Sequence, residues 1–178
     1  MNVTLIPYED GHIIAFRDLY ESAFPCGERK SLDFLLEQKE NGIYDLWIAE
    51  DEHHTMAGLL TTVKYADFVL LDYLAVLPSR RGRGIGHRML EAARRQYPEH
   101  HLFLEIEVPR DDADNAEERK RRLAFYLDAG LVRTGVQAHL YGDLMELLAY
   151  PEDAPYITFD LYRDMLTATF PPHMIPVP

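Results

Sequence analysis

The sequence predicts a mixed α/β fold in which helices flank a central sheet of about seven strands. Segments of strand-like hydrophobicity alternate with segments whose apolar residues recur every three or four positions, and their order is βααβββαβαββα. With 178 residues, 47% of them hydrophobic, the chain can bury one sizeable core. We therefore expect a single domain over residues 1–170 and a proline-rich C-terminal tail over residues 171–178.

The first predicted elements are a strand over residues 2–7 and two helices over residues 9–24 and 31–40. Ser31 is the predicted N-cap of the second helix, and Asn41-Gly42 is its predicted end. The first helix carries a wide apolar stripe that we expect to face the core. The members of this stripe are Ile13, Ile14, Phe16, Leu19, Tyr20 and Phe24.

Three strands follow as a meander, over residues 44–50, 56–65 and 68–77, with a hairpin turn at residues 51–54. The third strand is an apolar run that only Asp72 interrupts, which is typical of a strand buried on both faces.

The rest of the chain predicts three helices and three strands. Asp114 or Asn115 is the expected N-cap of the middle helix, Glu117 or Glu118 would complete a capping box, and Gly130 is the expected residue after its C-terminus. In order, the elements are a helix over 84–97, a strand over 101–108, a helix over 115–129, strands over 131–141 and 144–150, and a helix over 157–169.

The net charge of −12 argues against partners that are themselves anionic. An acidic surface repels nucleic acid and anionic membranes. It either favours a cationic small molecule or a basic peptide, or serves solubility alone. No apolar run has the length of a membrane span, and the N-terminus lacks the pattern of a signal peptide. Cys26 is the only cysteine, so no internal disulfide can form, and we expect a cytoplasmic protein.

The glycine-rich segment Arg81-Gly82-Arg83-Gly84-Ile85-Gly86 joins the apolar strand to the next helix. Glycines at a helix N-terminus let backbone N–H groups converge where the helix dipole is positive, and the arginines add charge. The segment is therefore a predicted phosphate cradle. It lacks the lysine of a P-loop, and its glycine spacing differs from that of a dinucleotide fingerprint.

Two segments resemble motifs of the GNAT superfamily of N-acetyltransferases. Residues 81–86 resemble its Arg/Gln-x-x-Gly-x-Gly/Ala signature, and residues 123–131 resemble its Ala-x-Tyr-x-x-x-Gly-Phe segment. The resemblance implies a GNAT fold, splayed between strands four and five, with acetyl-CoA as co-substrate and no metal. The implied cofactor contacts are the backbones of Leu74, Ala75 and Val76 for the pantetheine and of Arg81, Gly82, Arg83, Gly84, Ile85 and Gly86 for the pyrophosphate.

The resemblance also assigns catalytic candidates. Tyr126 matches the family's general acid, which protonates the departing thiolate; the alternative is a tyrosine at the edge of the core. Three carboxylates are candidate bases. Glu105 matches the family's position on the fifth strand, Glu107 points to the same face, and Asp72 lies in the fourth strand, where it could instead be a hydrogen-bonded structural acid.

The basic run over residues 117–122 has two interpretations. Arg119 and Arg122 could contact the 3′-phosphate of the cofactor, or the run could be a solvated helix face with Glu–Arg pairs four residues apart. Arg119 also stands where many relatives have asparagine, which departs from the family pattern.

The predicted function is therefore direct transfer of an acetyl group from acetyl-CoA to a primary amine, of a small molecule or of a peptide or protein. A non-catalytic acyl-CoA-binding or sensing module on the same fold is the main alternative, and a nucleotide-binding protein is a third. No metal-binding motif is visible, since the histidines occur as adjacent pairs without H-E-x-x-H. We expect a monomer or a homodimer.

Overall fold

The computed structural model describes residues 2–27, 29–140 and 142–170, and the expected tail lies outside them. Within these ranges seven strands and five α-helices follow one another in the predicted order, which confirms the α/β fold class. The chain divides into two compact units, of which the first ends at His100 and the second begins at His101. The single domain and the splay stay predictions.

The first unit is built on four antiparallel strands whose spatial order is their order in the chain. Three helices accompany them, and no helix of the described ranges is long and apolar enough to cross a membrane. The elements are β1 Thr4–Pro7, α1 Ile13–Ala23, α2 Leu32–Glu40, β2 Tyr44–Glu50, β3 Met56–Tyr65, β4 Phe68–Val76 and α3 Ile85–Gln96.

Helix α3 lies close to the sheet at Gly58 of β3. A β-carbon placed on Gly58 would lie 2.5 Å from the carbonyl oxygen of Ala75 and 2.9 Å from Sδ of Met89. Met89 is fully buried, and α3 can pack against β3 and β4 because Gly58 has no side chain. This close approach fixes the start of α3 relative to the end of β4.

The first helix differs from its prediction in two ways. A 3-10 turn over Asp10–His12 precedes α1, which itself begins at Ile13. Ile14, predicted to be in the core stripe, is 71% exposed. Phe16 and Tyr20 are fully buried on the core face, and Ile14 precedes Phe16 by two residues, which places it about 200° around the helix on the solvent side.

The second unit is built on three antiparallel strands in the spatial order β5-β7-β6. Its elements are β5 His101–Glu107, α4 Ala116–Asp128, β6 Val132–Leu140, β7 Asp143–Ala149 and α5 Phe159–Thr169.

The ends of α4 test two of the predicted caps. Gly130 follows the helix with φ +89°, and its N–H donates to the carbonyl of Leu127 at 3.0 Å, as predicted. Asn115 is the N-cap residue, but its side chain does not cap the helix. The predicted capping box is therefore wrong: the Asn115 side chain donates to Glu107 and accepts from Arg119 instead.

Candidate functional site

The predicted phosphate cradle adopts a backbone conformation that glycine favours. Gly82 and Gly84 have φ values of +74° and +71°, in the left-handed region. Gly84 is the N-cap residue of α3, and as a glycine it has no side chain to accept from the first N–H groups of the helix. The segment thus presents backbone donors at the positive end of a 12-residue helix, which is the arrangement that binds phosphate.

Arg80 anchors this cradle to the hairpin between β2 and β3. Its guanidinium lies 3.0 Å from Oδ2 of Asp51, a buried carboxylate. The N–H of His53 donates to Asp51 at 2.9 Å and the N–H of Thr55 at 3.1 Å. These backbone donors, His53 foremost, and the charge of Arg80 hold the pKa of Asp51 below its ordinary value. The carboxylate stays ionised at neutral pH and keeps its ion pair with the loop.

Strand β4 contains a β-bulge at Asp72. Thr61 and Thr62 of β3 face Tyr73 and Leu71, so the pairing skips Asp72. The side chain of Thr61 accepts the Tyr73 N–H at 3.2 Å, which satisfies the group that the bulge displaces. Regular pairing runs from Tyr73 to Val76, and this strand end leads into the cradle. The predicted pantetheine contact of Leu74, Ala75 and Val76 stays a prediction.

Asp72 itself lies in a buried polar cluster. The ammonium of Lys30 donates to both carboxylate oxygens, at 2.9 and 3.0 Å, and the hydroxyl of Tyr44 donates to Oδ2 at 2.6 Å. The side chains of Lys30 and Asp72 are 5% and 3% exposed. Asp72 is therefore a hydrogen-bonded acid with a fixed cationic partner, and a role as base stays a prediction.

Lys30 joins the segment between α1 and α2 to the sheet. Its carbonyl accepts from the hydroxyl of Tyr20 at 3.0 Å, its N–H donates to the hydroxyl of Tyr73 at 3.0 Å, and its ammonium lies 5.0 Å from the centre of the Tyr73 ring. Burial raises the pKa of Tyr20, Tyr44 and Tyr73 above the ordinary value, so all three phenols are neutral. Sequence reasoning missed Lys30, because Asp72 and Tyr73 lie 42 and 43 residues from it in the chain.

In the second unit, Glu105 is held by α5. The hydroxyl of Tyr162 donates to Oε2 of Glu105, and Tyr162 is fully buried while Glu105 is partly exposed. Glu105 and Glu107 are two residues apart on β5, whose pairing with β7 is unbroken from Phe103 to Glu107, so the two glutamates share one face, as predicted. The sequence missed Tyr162, which lies 57 residues from Glu105.

Glu107 has partners of a different kind. Arg122 donates to its Oε2 at 2.6 Å, and Nη2 of Arg119 lies 2.9 Å from its Oε1, where the amide of Asn115 also donates at 3.3 Å. Arg119 is buried and also donates to Asp143 at 3.0 Å. The two arginines predicted for the cofactor phosphate thus both bind Glu107, and their cofactor role stays a prediction.

Tyr126 lies in the last full turn of α4, one turn beyond Arg122. Its ring packs edge-on against Phe125 with the ring centres 5.0 Å apart. Desolvation raises the pKa of the Tyr126 phenol, and the positive charge of Arg122 acts in the opposite direction. Within the ranges 2–27, 29–140 and 142–170, no hydrogen bond of the Tyr126 hydroxyl occurs. The phenol is therefore protonated at neutral pH and can donate.

The site candidates fall into separate groups within each unit. In the first unit the cradle is tied to the β2–β3 hairpin, and Asp72 is tied to Lys30. In the second unit Arg122 binds Glu107, and its positive charge acts to lower the pKa of Tyr126. The described part of the chain contains no group of three or more His, Cys, Asp or Glu side chains that could hold a metal ion.

The profile of the Acetyltransferase (GNAT) family matches residues 13–125 of the chain. The chain belongs to this family. The matched range includes the cradle and Glu105 and ends one residue before Tyr126. Membership confirms the resemblance that the two sequence motifs carried.

Solved structures of GNAT proteins share the fold. A GNAT-family protein from Bacteroides thetaiotaomicron is 23% identical, with a TM-score of 0.68 over 84% of this chain and 86% of that chain. Spermidine N-acetyltransferase from Vibrio cholerae, solved in complex with CoA and spermine, is 16% identical, with a TM-score of 0.63 over 86% of this chain and 98% of that chain. At these identities the likeness shows the fold. No curated protein matches the sequence of the chain.

Proposed function

We propose that this GNAT protein is an N-acetyltransferase that moves an acetyl group from acetyl-CoA directly to a primary amine. The observation that carries the proposal is the cradle: two left-handed glycines, of which Gly84 is also the N-cap of α3, in a chain of the acetyltransferase family. A CoA complex of the V. cholerae relative supports the same donor.

The proposed binding residues for the acetyl donor, acetyl-CoA, belong to the first unit. The N–H groups of residues 81–86 would bind the pyrophosphate, and the backbone of residues 74–76 would pair with the pantetheine as an added strand. The side chain of Arg81 is directed back to the carbonyl of Val76, at 3.2 Å, and so joins these two contact regions. No protein group needs to carry the acetyl group in direct transfer.

The reaction then requires one acid and one base. The nitrogen of the neutral amine attacks the thioester carbonyl, a C–N bond forms, and the C–S bond breaks. The departing thiolate takes the proton of the Tyr126 hydroxyl, which is protonated at neutral pH because its pKa is raised. The proton that the attacking nitrogen loses as the amide forms returns through water to the Tyr126 phenolate, which restores the acid. The ammonium form of the acceptor first loses its proton to a carboxylate, directly or through water. We assign this role to Glu105, since it is the partly exposed one of the two glutamates on β5.

The acceptor is proposed as a primary amine of a small molecule, peptide or protein. The net charge of −12 favours a cationic acceptor over an anionic one. A polyamine is one such acceptor, and the V. cholerae relative was solved with spermine. A cytoplasmic location, a metal-free reaction and a monomeric or homodimeric state are part of the same proposal.

Thiol release from acetyl-CoA in the presence of a panel of amines tests this function. The matched variants are Tyr126→Phe and Tyr156→Phe, since Tyr156 is an exposed tyrosine of the same unit. We expect Y126F to lower turnover about 100-fold, because it removes a general acid, and to leave acetyl-CoA affinity unchanged in calorimetry. Y156F should retain both. A wild-type protein that binds acetyl-CoA but releases no thiol with any amine would favour the acyl-CoA-binding module.

A further inference from the structure

The contact between Tyr162 and Glu105 joins the last helix to the proposed base. Tyr162 lies in the first half of α5, and its hydroxyl donates to Oε2 of Glu105, 57 residues earlier in the chain. No sequence motif assigns Tyr162 a role. A fully buried phenol needs a hydrogen-bond partner, and here that partner is a carboxylate that is itself partly exposed.

The position of Tyr162 is fixed by its own helix. Thr158 caps α5 by accepting the Leu161 N–H at 3.2 Å, and the carbonyl of Thr158 accepts the Tyr162 N–H at 3.1 Å. The Tyr162 ring packs edge-on against Phe103 of β5, with the ring centres 6.4 Å apart. Capping and burial leave the phenol little freedom, so its O–H points to one place on β5.

We propose that Tyr162 is a positioning residue that holds the Glu105 carboxylate in the orientation and ionised state in which it acts as general base. The inference rests on the proposed function of Glu105. A neutral phenol can only donate to an ionised carboxylate, and this bond stabilises the carboxylate form. It also restricts the rotation of a partly exposed side chain that would otherwise sample several rotamers.

The neighbours of Glu105 along β5 and across to β7 differ in kind from the phenol. Leu147 of β7 lies directly opposite Glu105 and is apolar. Glu107, two residues along β5, is anionic, and the cations of α4 that approach this strand, Arg119 and Arg122, both bind Glu107. Tyr162 is the contact that α5 makes with the Glu105 carboxylate.

A carboxyl ¹³C NMR titration tests the contact without requiring activity. Protein labelled at the glutamate carboxyl carbon is titrated, and the Glu105 resonance is assigned by its loss in Glu105→Gln. We expect Tyr162→Phe to raise the titration midpoint of that resonance by about one pH unit, because a hydrogen bond to the charged form is lost. Tyr156→Phe, which removes an exposed phenol, should leave it unchanged. An unchanged midpoint in Y162F would overturn the proposal.

A second substitution keeps the test valid if Y162F folds poorly. Difluorotyrosine at position 162 keeps the ring and the O–H but makes the phenol a stronger donor, so the Glu105 midpoint should fall. A midpoint that stays constant with this analogue would also contradict the proposal.

Steady-state kinetics test whether the contact between Tyr162 and Glu105 contributes to the reaction. On the alkaline side of the pH profile, Y162F should lower kcat/KM for the amine about tenfold, and the acid limb should move to higher pH. In the E105Q background, Y162F should add no further loss, because Tyr162 acts through Glu105. Additive losses would refute the positioning role. A wild-type protein without any acetyl transfer would refute the proposed function instead, while the NMR result still decides the contact.

Discussion

Replacing Lys30 by methionine should cost the protein much of its stability. Methionine retains most of the side-chain length and volume of Lys30, so the change chiefly removes the ammonium. That ammonium lies 2.9 Å from Oδ1 and 3.0 Å from Oδ2 of Asp72, and both side chains are almost completely buried. In K30M the Asp72 carboxylate would stay inside the first unit without its cation.

The magnitude follows from what remains around Asp72. Removing one partner of a buried ion pair typically costs about 3–5 kcal/mol, because the other charge stays buried and uncompensated. The hydroxyl of Tyr44 still donates to Oδ2 of Asp72, so we expect the lower end, about 3 kcal/mol. Lys30→Met/Asp72→Asn removes both charges, so the double variant should be less destabilised than the sum of the single changes.

Urea denaturation measures the free energy of unfolding of each variant. Lys39→Met is the matched control, since Lys39 forms a solvent-exposed pair with Glu40 at 3.3 Å, and its loss should cost less than about 1 kcal/mol. Equal destabilisation of K30M and K39M would refute the reasoning, because it would mean that burial adds nothing to the Lys30 pair. Strict additivity in the double variant would also contradict it.

Three further predictions concern the cradle and its supports. Gly58→Ala should lower the free energy of unfolding in urea by about 2 kcal/mol, because its β-carbon would lie 2.5 Å from the backbone carbonyl oxygen of Ala75 and 2.9 Å from Sδ of Met89. An unchanged value would mean that β4 and α3 shift without cost. Gly84→Ala should weaken acetyl-CoA binding in calorimetry about fivefold through its left-handed φ, whereas Gly11→Ala, in open space, should not. Because the pKa of Asp51 is lowered, its carboxylate stabilises the fold at neutral pH. This stability is lost as the pH falls from the pKa of the unfolded state, about 3.9, through the lower pKa of the folded state, so the free energies of unfolding of wild type and Asp51→Asn should converge in acid. A difference between them that persists in acid would contradict this.

Local features of the fold could be predicted because their causes are close in sequence. Ser31 caps α2 through the N–H of Phe34, three residues on, and Gly130 ends α4 in a left-handed conformation. The cradle was also predictable, since a strand, three glycines and a helix follow one another directly. In each case the donor, the acceptor or the backbone constraint lies within one turn of the residue that reveals it.

The contacts that fix the charged candidates could not be predicted, because they join distant segments. Lys30 and Asp72 are 42 residues apart, and Tyr162 and Glu105 are 57 residues apart. Asn115 shows that a partner closer in the sequence can also escape prediction. Its position predicts a cap, but the competing Glu107 and Arg119 occupy its side chain. Residue type and spacing identify which side chains are ionisable and leave open which partner each one has.

Those partners separate the three carboxylates that the sequence offers as bases. A carboxylate that takes a proton from the acceptor gives up part of the bonding that its ionised form makes. For Asp72 that bonding includes a buried ammonium, and for Glu107 it includes two guanidinium groups. Protonation of Asp72 or Glu107 would therefore break a buried ion pair and leave its cation uncompensated, whereas the hydroxyl that Tyr162 donates to Glu105 carries no charge. On these contacts Glu105 is the base that we propose, while the charged pairs of Asp72 and Glu107 each join two separate segments of their own unit.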